Sequence, residues 1–189
     1  MRQSYDVFFA SSNKNKYQEA KKILENFGIR IGFFKCELKE IQSDLLKEIA
    51  THKVLEAFGK CKKPVIIEDD GLFIDNLRGF PGPFSSYVFK TIGNKGILKL
   101  VKTKRNAKFQ SIIAFCNKTK KPILFEAKVA GGISKNIRGA GWGYDPIFIP
   151  SGRSKTFAEL TNKNELSHRY NALKKFAKWF QNKQESIYR

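Results

Sequence analysis

Nine residues near the start of the chain, Phe8-Phe9-Ala10-Ser11-Ser12-Asn13-Lys14-Asn15-Lys16, break a local rule. The first turn of a helix carries partial positive charge and prefers Asp or Glu. Here an apolar stretch runs into a small polar turn that opens a helix, and that opening carries Lys14 and Lys16. Cations beside backbone N–H groups are explained by an anion at that place, and phosphate is the usual one. The start of a later helix repeats the anomaly. Ser167 is a good N-cap, yet His168 and Arg169 occupy the first turn, with Lys163 just upstream. These side chains read as hydrogen-bond donors aimed at a ligand. Between the two lies an acidic run, Glu68-Asp69-Asp70, at the end of the apolar stretch Val65-Ile66-Ile67. Adjacent carboxylates repel one another, so such a run calls for a cation. Glu40 follows another strand-like stretch and can reach the same crevice. Two carboxylates, water and phosphate oxygens are how Mg²⁺ is usually held. Finally, Gly141-Trp142-Gly143-Tyr144-Asp145-Pro146 sets aromatics among glycines, where a flat base can stack.

The elements that must position these groups follow from periodicity. Tyr5 to Ala10 reads as a strand; Tyr17, Ala20, Ile23, Leu24 and Phe27 recur at helical spacing until Gly28. A weaker strand covers Arg30 to Leu38. A helix follows from about Leu45 to Phe58, capped by Ser43 or Asp44 and closed by Gly59. Val65 to Ile67 reads as a short strand buried on both faces. Gly79 to Pro83 is a turn cluster, with short helices at Phe84 to Thr91 and Ile97 to Lys102. Lys108 to Asn117 and Ile123 to Ala130 form an antiparallel hairpin across Lys118 to Pro122. The last helix presents Leu173, Phe176, Ala177 and Phe180 on one face. The architecture expected is α/β, a mixed sheet with helices packed on it.

Bulk properties bound the function. With 189 residues, 41% of them hydrophobic, the chain builds a full core, as one domain over 1–189 or as two lobes that share it. No apolar run approaches a membrane span, and the chain enters a strand without a signal peptide, so no membrane partner is expected. Cys36, Cys61 and Cys116 are isolated thiols, which suits the cytoplasm. With His52 and His168 as the two histidines, a zinc site is not expected; a hard cation on carboxylates is. The net charge of +19 attracts nucleotides or nucleic acid. A nucleic-acid-binding protein is therefore the competing reading, but the charge is spread along the chain and that reading leaves the acidic run unexplained.

Taken together, four blocks resemble the inosine/xanthosine triphosphate pyrophosphatase family. They are Ser11-Ser12-Asn13-Lys14-Asn15-Lys16; Ile67-Glu68-Asp69-Asp70-Gly71-Leu72 with Gly79-Phe80-Pro81-Gly82-Pro83; Gly141-Trp142-Gly143-Tyr144-Asp145-Pro146-Ile147-Phe148; and Thr156-Phe157-Ala158-Glu159-Leu160 with Lys163 and Ser167-His168-Arg169. The resemblance implies a two-lobed α/β fold around a long mixed sheet, with the active site in the cleft. It also implies a Mg²⁺-dependent homodimer that needs no nucleic acid and converts ITP, dITP and XTP to the monophosphate and pyrophosphate, or acts on other modified nucleotides. By position, Ser11, Asn13 and Lys16, with Lys53, would contact phosphates, and Ser12, Lys14 and Asn15 complete that turn. Glu40 and Asp69 would serve the metal, Asp69 also as general base. Trp142, Gly143, Tyr144, Asp145, Lys163, His168 and Arg169 would surround the base. Donors such as Lys163, His168 and Arg169 suit a purine O6 and disfavour the adenine amino group. The family usually has Ser or Thr where this chain has Asp70; the extra carboxylate adds a metal ligand or repels the triphosphate. Trp142 stands where Phe is more usual.

Overall fold

The structure is a computed structural model that describes residues 4–185. In chain order the elements are β1 (Val7–Ser11), α1 (Lys14–Glu25), β2 (Ile31–Lys35), α2 (Leu46–Cys61), β3 (Val65–Ile74), β4 (Pro81–Gly82), α3 (Ser85–Thr91) and α4 (Gly93–Leu100). There follow β5 (Asn106–Cys116), β6 (Ile123–Ile133), β7 (Phe148–Pro150), α5 (Lys163–Leu166) and α6 (His168–Glu185). The seven strands form one mixed sheet in the order β2-β1-β3-β5-β6-β7, with β4 paired on β3. Pairing of β1 with β2 and with β3 is parallel; β3 with β4 and β6 with β7 are antiparallel. This is the mixed α/β architecture expected from periodicity.

Several boundaries differ from the sequence reading. The acidic run does not end β3: the strand continues through Glu68, Asp69 and Asp70 to Ile74. Charged residues fit inside a strand because side chains alternate between faces. Each carboxylate meets a cationic or imidazole partner contributed by a distant segment, as described below. Gly71, next along the strand, packs against the Gly82 backbone so closely that a Cβ would collide with the Gly82 carbonyl oxygen. Helix α2 runs past Gly59 to Cys61 and ends at Lys62, in the left-handed conformation (φ 55°), whose N–H bonds the Phe58 carbonyl at 2.9 Å. Ser43 and Asp44 do not cap α2; its N-cap position is Leu45, and Ser43 Oγ instead accepts from Leu45 N and donates to Glu48. The helix expected at Ile97 to Lys102 is α4, which begins at Gly93.

The described residues gather into two compact units that interleave along the chain. The first takes the residues up to Asp69, Ile112–Glu126 and those from Arg169 onward; the second takes Asp70–Ser111 and Ala127–His168. In the first, Val7, Phe9 and Ile66 of the strands are buried with Ala20, Ile23 and Leu24 of α1, Val54 and Ala57 of α2, and Leu173, Phe176 and Ala177 of α6. Each Val, Leu, Ile or Phe among them contributes about 1.5–3 kcal/mol by leaving water. Phe115 and Phe125 add an aromatic layer against Trp179 of α6, with ring centroids 5.2 and 5.4 Å apart. In the second, Leu72 and Ile74 of β3, Val88 of α3, Ile97 of α4, Phe109 of β5 and Ile133 of β6 pack with Tyr144, Phe148 and Phe157. No described helix is long and apolar enough to cross a membrane.

Candidate active site

The turn from β1 into α1 is held by its own side chains. Ser11 Oγ accepts from Asn13 N at 3.0 Å, and Asn13 Oδ1 accepts from Asn15 N at 2.9 Å and Lys16 N at 3.3 Å. Asn13 is therefore the N-cap of α1, and the first turn holds no acidic residue. Two of the side chains assigned to phosphate are already engaged with backbone donors of the turn, which pre-shapes it. The Ser12, Lys14 and Asn15 side chains are exposed there, and Lys16 is half-buried.

The Lys16 charge acts on Asp69, to which α2 also delivers Lys53. The Lys53 Nζ sits 2.7 Å from Asp69 Oδ1 and 2.5 Å from Glu40 Oε1. Lys53 and Asp69 are both buried, whereas the Glu40 side chain is 66% exposed. One ammonium thus gathers the two carboxylates that the sequence reading assigned to metal. Asp69 Oδ2 is buried and has no hydrogen-bond partner among the described residues. Burial pushes the Asp69 carboxyl up to about 6 against the pull of Lys53 and Lys16. Glu40 and Asp69 offer hard oxygen donors, one of them unsatisfied, and this donor set fits Mg²⁺.

Arg169 takes a place that the sequence did not suggest. Its side chain is 1% exposed; Nε donates to Glu68 Oε2 at 2.7 Å and Nη1 to Glu19 Oε2 at 2.5 Å. Glu19 carried no local mark in the sequence, and its partner lies 150 positions away.

The second unit holds the aromatic group. Lys163 Nζ bonds Asp145 Oδ2 at 2.6 Å and lies 5.3 Å from the centroid of the half-buried Trp142 ring. Gly143 adopts φ +62°, which favours glycine, and its carbonyl accepts from Asn94 Nδ2 at 3.0 Å. Gly141 packs with its Cα facing the Ala158 side chain, where an added Cβ would sit 3.0 Å from Ala158 Cβ. That contact joins the third and fourth sequence blocks. Tyr144 is a core residue: its hydroxyl donates to the Ser85 carbonyl at 2.9 Å and burial raises its pKa. His168 is 3% exposed, stacks on Phe109 with centroids 4.4 Å apart, and turns Nε2 to Asp70 Oδ2 at 3.5 Å. His168 and Arg169, adjacent in sequence, therefore answer different carboxylates. Phe109, beneath the imidazole, was not singled out from the sequence, because a Phe on an alternating strand reads as core.

A mixed-sheet α/β protein with a lysine-rich strand-to-helix turn, a buried Lys–carboxylate cluster and an aromatic–lysine group is the class that fold and side chains define. The chain belongs to the Ham1 family, whose model matches residues 7–179. It is 47% identical over 181 residues to a dITP/XTP pyrophosphatase of Methanopyrus kandleri, covering 93% of this chain and 96% of that one. It is also 47% identical over 178 residues to a dITP/XTP pyrophosphatase of Pyrococcus horikoshii, covering 92% and 95%. Among solved structures it is similar to a HAM1 protein from Coxiella burnetii, with a TM-score of 0.80 and 27% identity over 95% of this chain and all of the other.

Proposed function

We propose that this protein hydrolyses non-standard purine nucleoside triphosphates, ITP, dITP and XTP, to the monophosphate and pyrophosphate. The observation that carries the reading is Asp69: a buried carboxylate with one oxygen on Lys53 and the other without a protein donor among the described residues. The relatives named dITP/XTP pyrophosphatase support the substrate class. Glu40 and Asp69 would hold Mg²⁺. When bound, the ion neutralises triphosphate charge and makes a nearby water more acidic.

The chain's residues supply the rest. Lys16 and Lys53 offset negative charge that builds as the α–β bridging oxygen leaves with pyrophosphate. Asp69 takes a proton from the water whose oxygen attacks the α-phosphorus. Its pKa of about 6 leaves it ionised and basic at neutral pH. Trp142 stacks on the base. Lys163, oriented by Asp145, donates to O6, and His168 completes the base-side group; Arg169, assigned to the base by resemblance, instead holds Glu68 and Glu19. The protein works as one catalytic domain in the cytoplasm. It pairs as a homodimer, a reading supported by the exposed apolar side chains Phe84, Tyr87 and Ile92 around α3.

The test is pyrophosphate release in Mg²⁺ across ITP, dITP, XTP, GTP and ATP. We expect monophosphate and pyrophosphate in equal amounts, with ITP, dITP and XTP preferred. Release of inorganic phosphate, or equal rates on ATP, would overturn the reading. Steeply salt-dependent binding to single-stranded DNA without hydrolysis would favour a nucleic-acid-binding protein instead.

A further inference from the structure

Asp70 is the carboxylate that stands where the resembled family usually has Ser or Thr. It faces His168, with Asp70 Oδ2 3.5 Å from Nε2. The imidazole is fixed in its plane by stacking on Phe109, 4.4 Å between centroids and 10° between planes, with Phe157 tilted beside it at 6.4 Å. The other ring nitrogen, Nδ1, is buried and has no hydrogen-bond partner among the described residues. A buried polar atom left unsatisfied is costly, and such atoms mark places where a ligand supplies the partner.

We propose that Asp70 sets the hydrogen-bonding polarity of His168 and thereby makes it a reader of the base N1–H; this rests on the purine triphosphate activity proposed above. A neutral imidazole donates from one nitrogen and accepts at the other. A carboxylate accepts only, so it draws the proton to Nε2 and leaves the lone pair on Nδ1. A Ser or Thr hydroxyl at this position can donate or accept and would leave both tautomers open. The acceptor at Nδ1 matches hypoxanthine and xanthine, which carry N1–H next to O6. Adenine carries a bare N1 there, which would meet the Nδ1 lone pair acceptor to acceptor. Lys163 and His168 then read adjacent atoms of one edge, O6 by a donor and N1–H by an acceptor. Asp70 is a positioning residue in this scheme, acting through His168.

The chain's two histidines make the tautomer directly measurable. His52→Gln, at an exposed position of α2, leaves His168 as the one ¹⁵N-histidine signal. Without metal or nucleotide, in the range where the ¹⁵N shifts show one ring nitrogen protonated, we expect the proton on Nε2. In Asp70→Asn the introduced amide can donate to Nε2, and the proton should move to Nδ1; in Asp70→Ser a mixture is expected. The kinetic counterpart compares ITP with N1-methyl-ITP, which lacks the donor. Wild type should prefer ITP in kcat/KM by about tenfold or more, and Asp70→Asn should lose most of that preference. A neutral wild-type ring protonated at Nδ1 would overturn the proposal. So would an unchanged ITP preference in an Asp70→Asn protein whose tautomer has switched. If neither nucleotide is hydrolysed, the activity reading fails, while the ¹⁵N spectrum still decides whether Asp70 sets the ring.

Discussion

Arg169→Met should strongly destabilise the protein, and the structure supplies the size of the effect. The guanidinium is 1% exposed and bonded to Glu68, whose side chain has no solvent exposure, and to Glu19, whose side chain is 17% exposed. Methionine keeps most of the bulk and removes the charge. It strips the guanidinium from a carboxylate that water cannot reach, and breaking a buried pair from one side costs about 3–5 kcal/mol. In a chain of this length that corresponds to a fall in Tm of about 6–20 °C. Calorimetry and urea unfolding, both in EDTA, read the change. The double variant Glu68→Gln/Arg169→Met removes both charges and should recover more than half of the loss. Glu19→Gln should cost less, about 1 kcal/mol, because hydration can replace part of that contact. A loss below about 1 kcal/mol for Arg169→Met, or no recovery in the double variant, would refute the idea that Arg169 neutralises the inner face of β3.

Three further outcomes follow from the same geometry. Asp69→Asn should lower pyrophosphate release at least ~10²-fold with the fold intact, measured on ITP in Mg²⁺. Its stability in EDTA should also depend on pH differently from wild type. Burial raises the folded-state pKa of Asp69 to about 6, so the native state binds its proton more tightly than the unfolded chain. Stability from that proton is present at acid pH and is lost as pH rises through about 6, so the stability difference between the two proteins should shift in favour of Asp69→Asn from pH 4 to 7; a pH-independent difference would count against it. Lys16→Ala should raise KM for ITP, lower kcat, or both, and unchanged kinetics would make Lys16 a solvated surface residue. Trp142→Ala should weaken ITP binding by about 1–3 kcal/mol in equilibrium titration, whereas Trp142→Phe should stay near wild type.

The sequence alone determined the elements whose pattern is local. The apolar spacing of α1, α2 and α6, the alternation of β5 and β6, and the Gly-Phe-Pro-Gly-Pro turn are all set by neighbours within a few residues. The residue types were legible in the same way: cations at two helix starts, an acidic run after an apolar stretch, a Trp between glycines. Tertiary structure decided what those types are joined to. A carboxylate run reads as a strand end because burying charge is expensive. It becomes the middle of β3 because Arg169, 101 residues on, meets Glu68, and Lys53, 16 residues earlier, meets Asp69. The pairing of Asp70 with His168 spans 98 residues, and that of Glu19 with Arg169 spans 150. Periodicity carries no information across such separations. Which cation neutralises which carboxylate depends on the alternation of faces along β3 and on the helices that cover them, and only the folded chain brings those together.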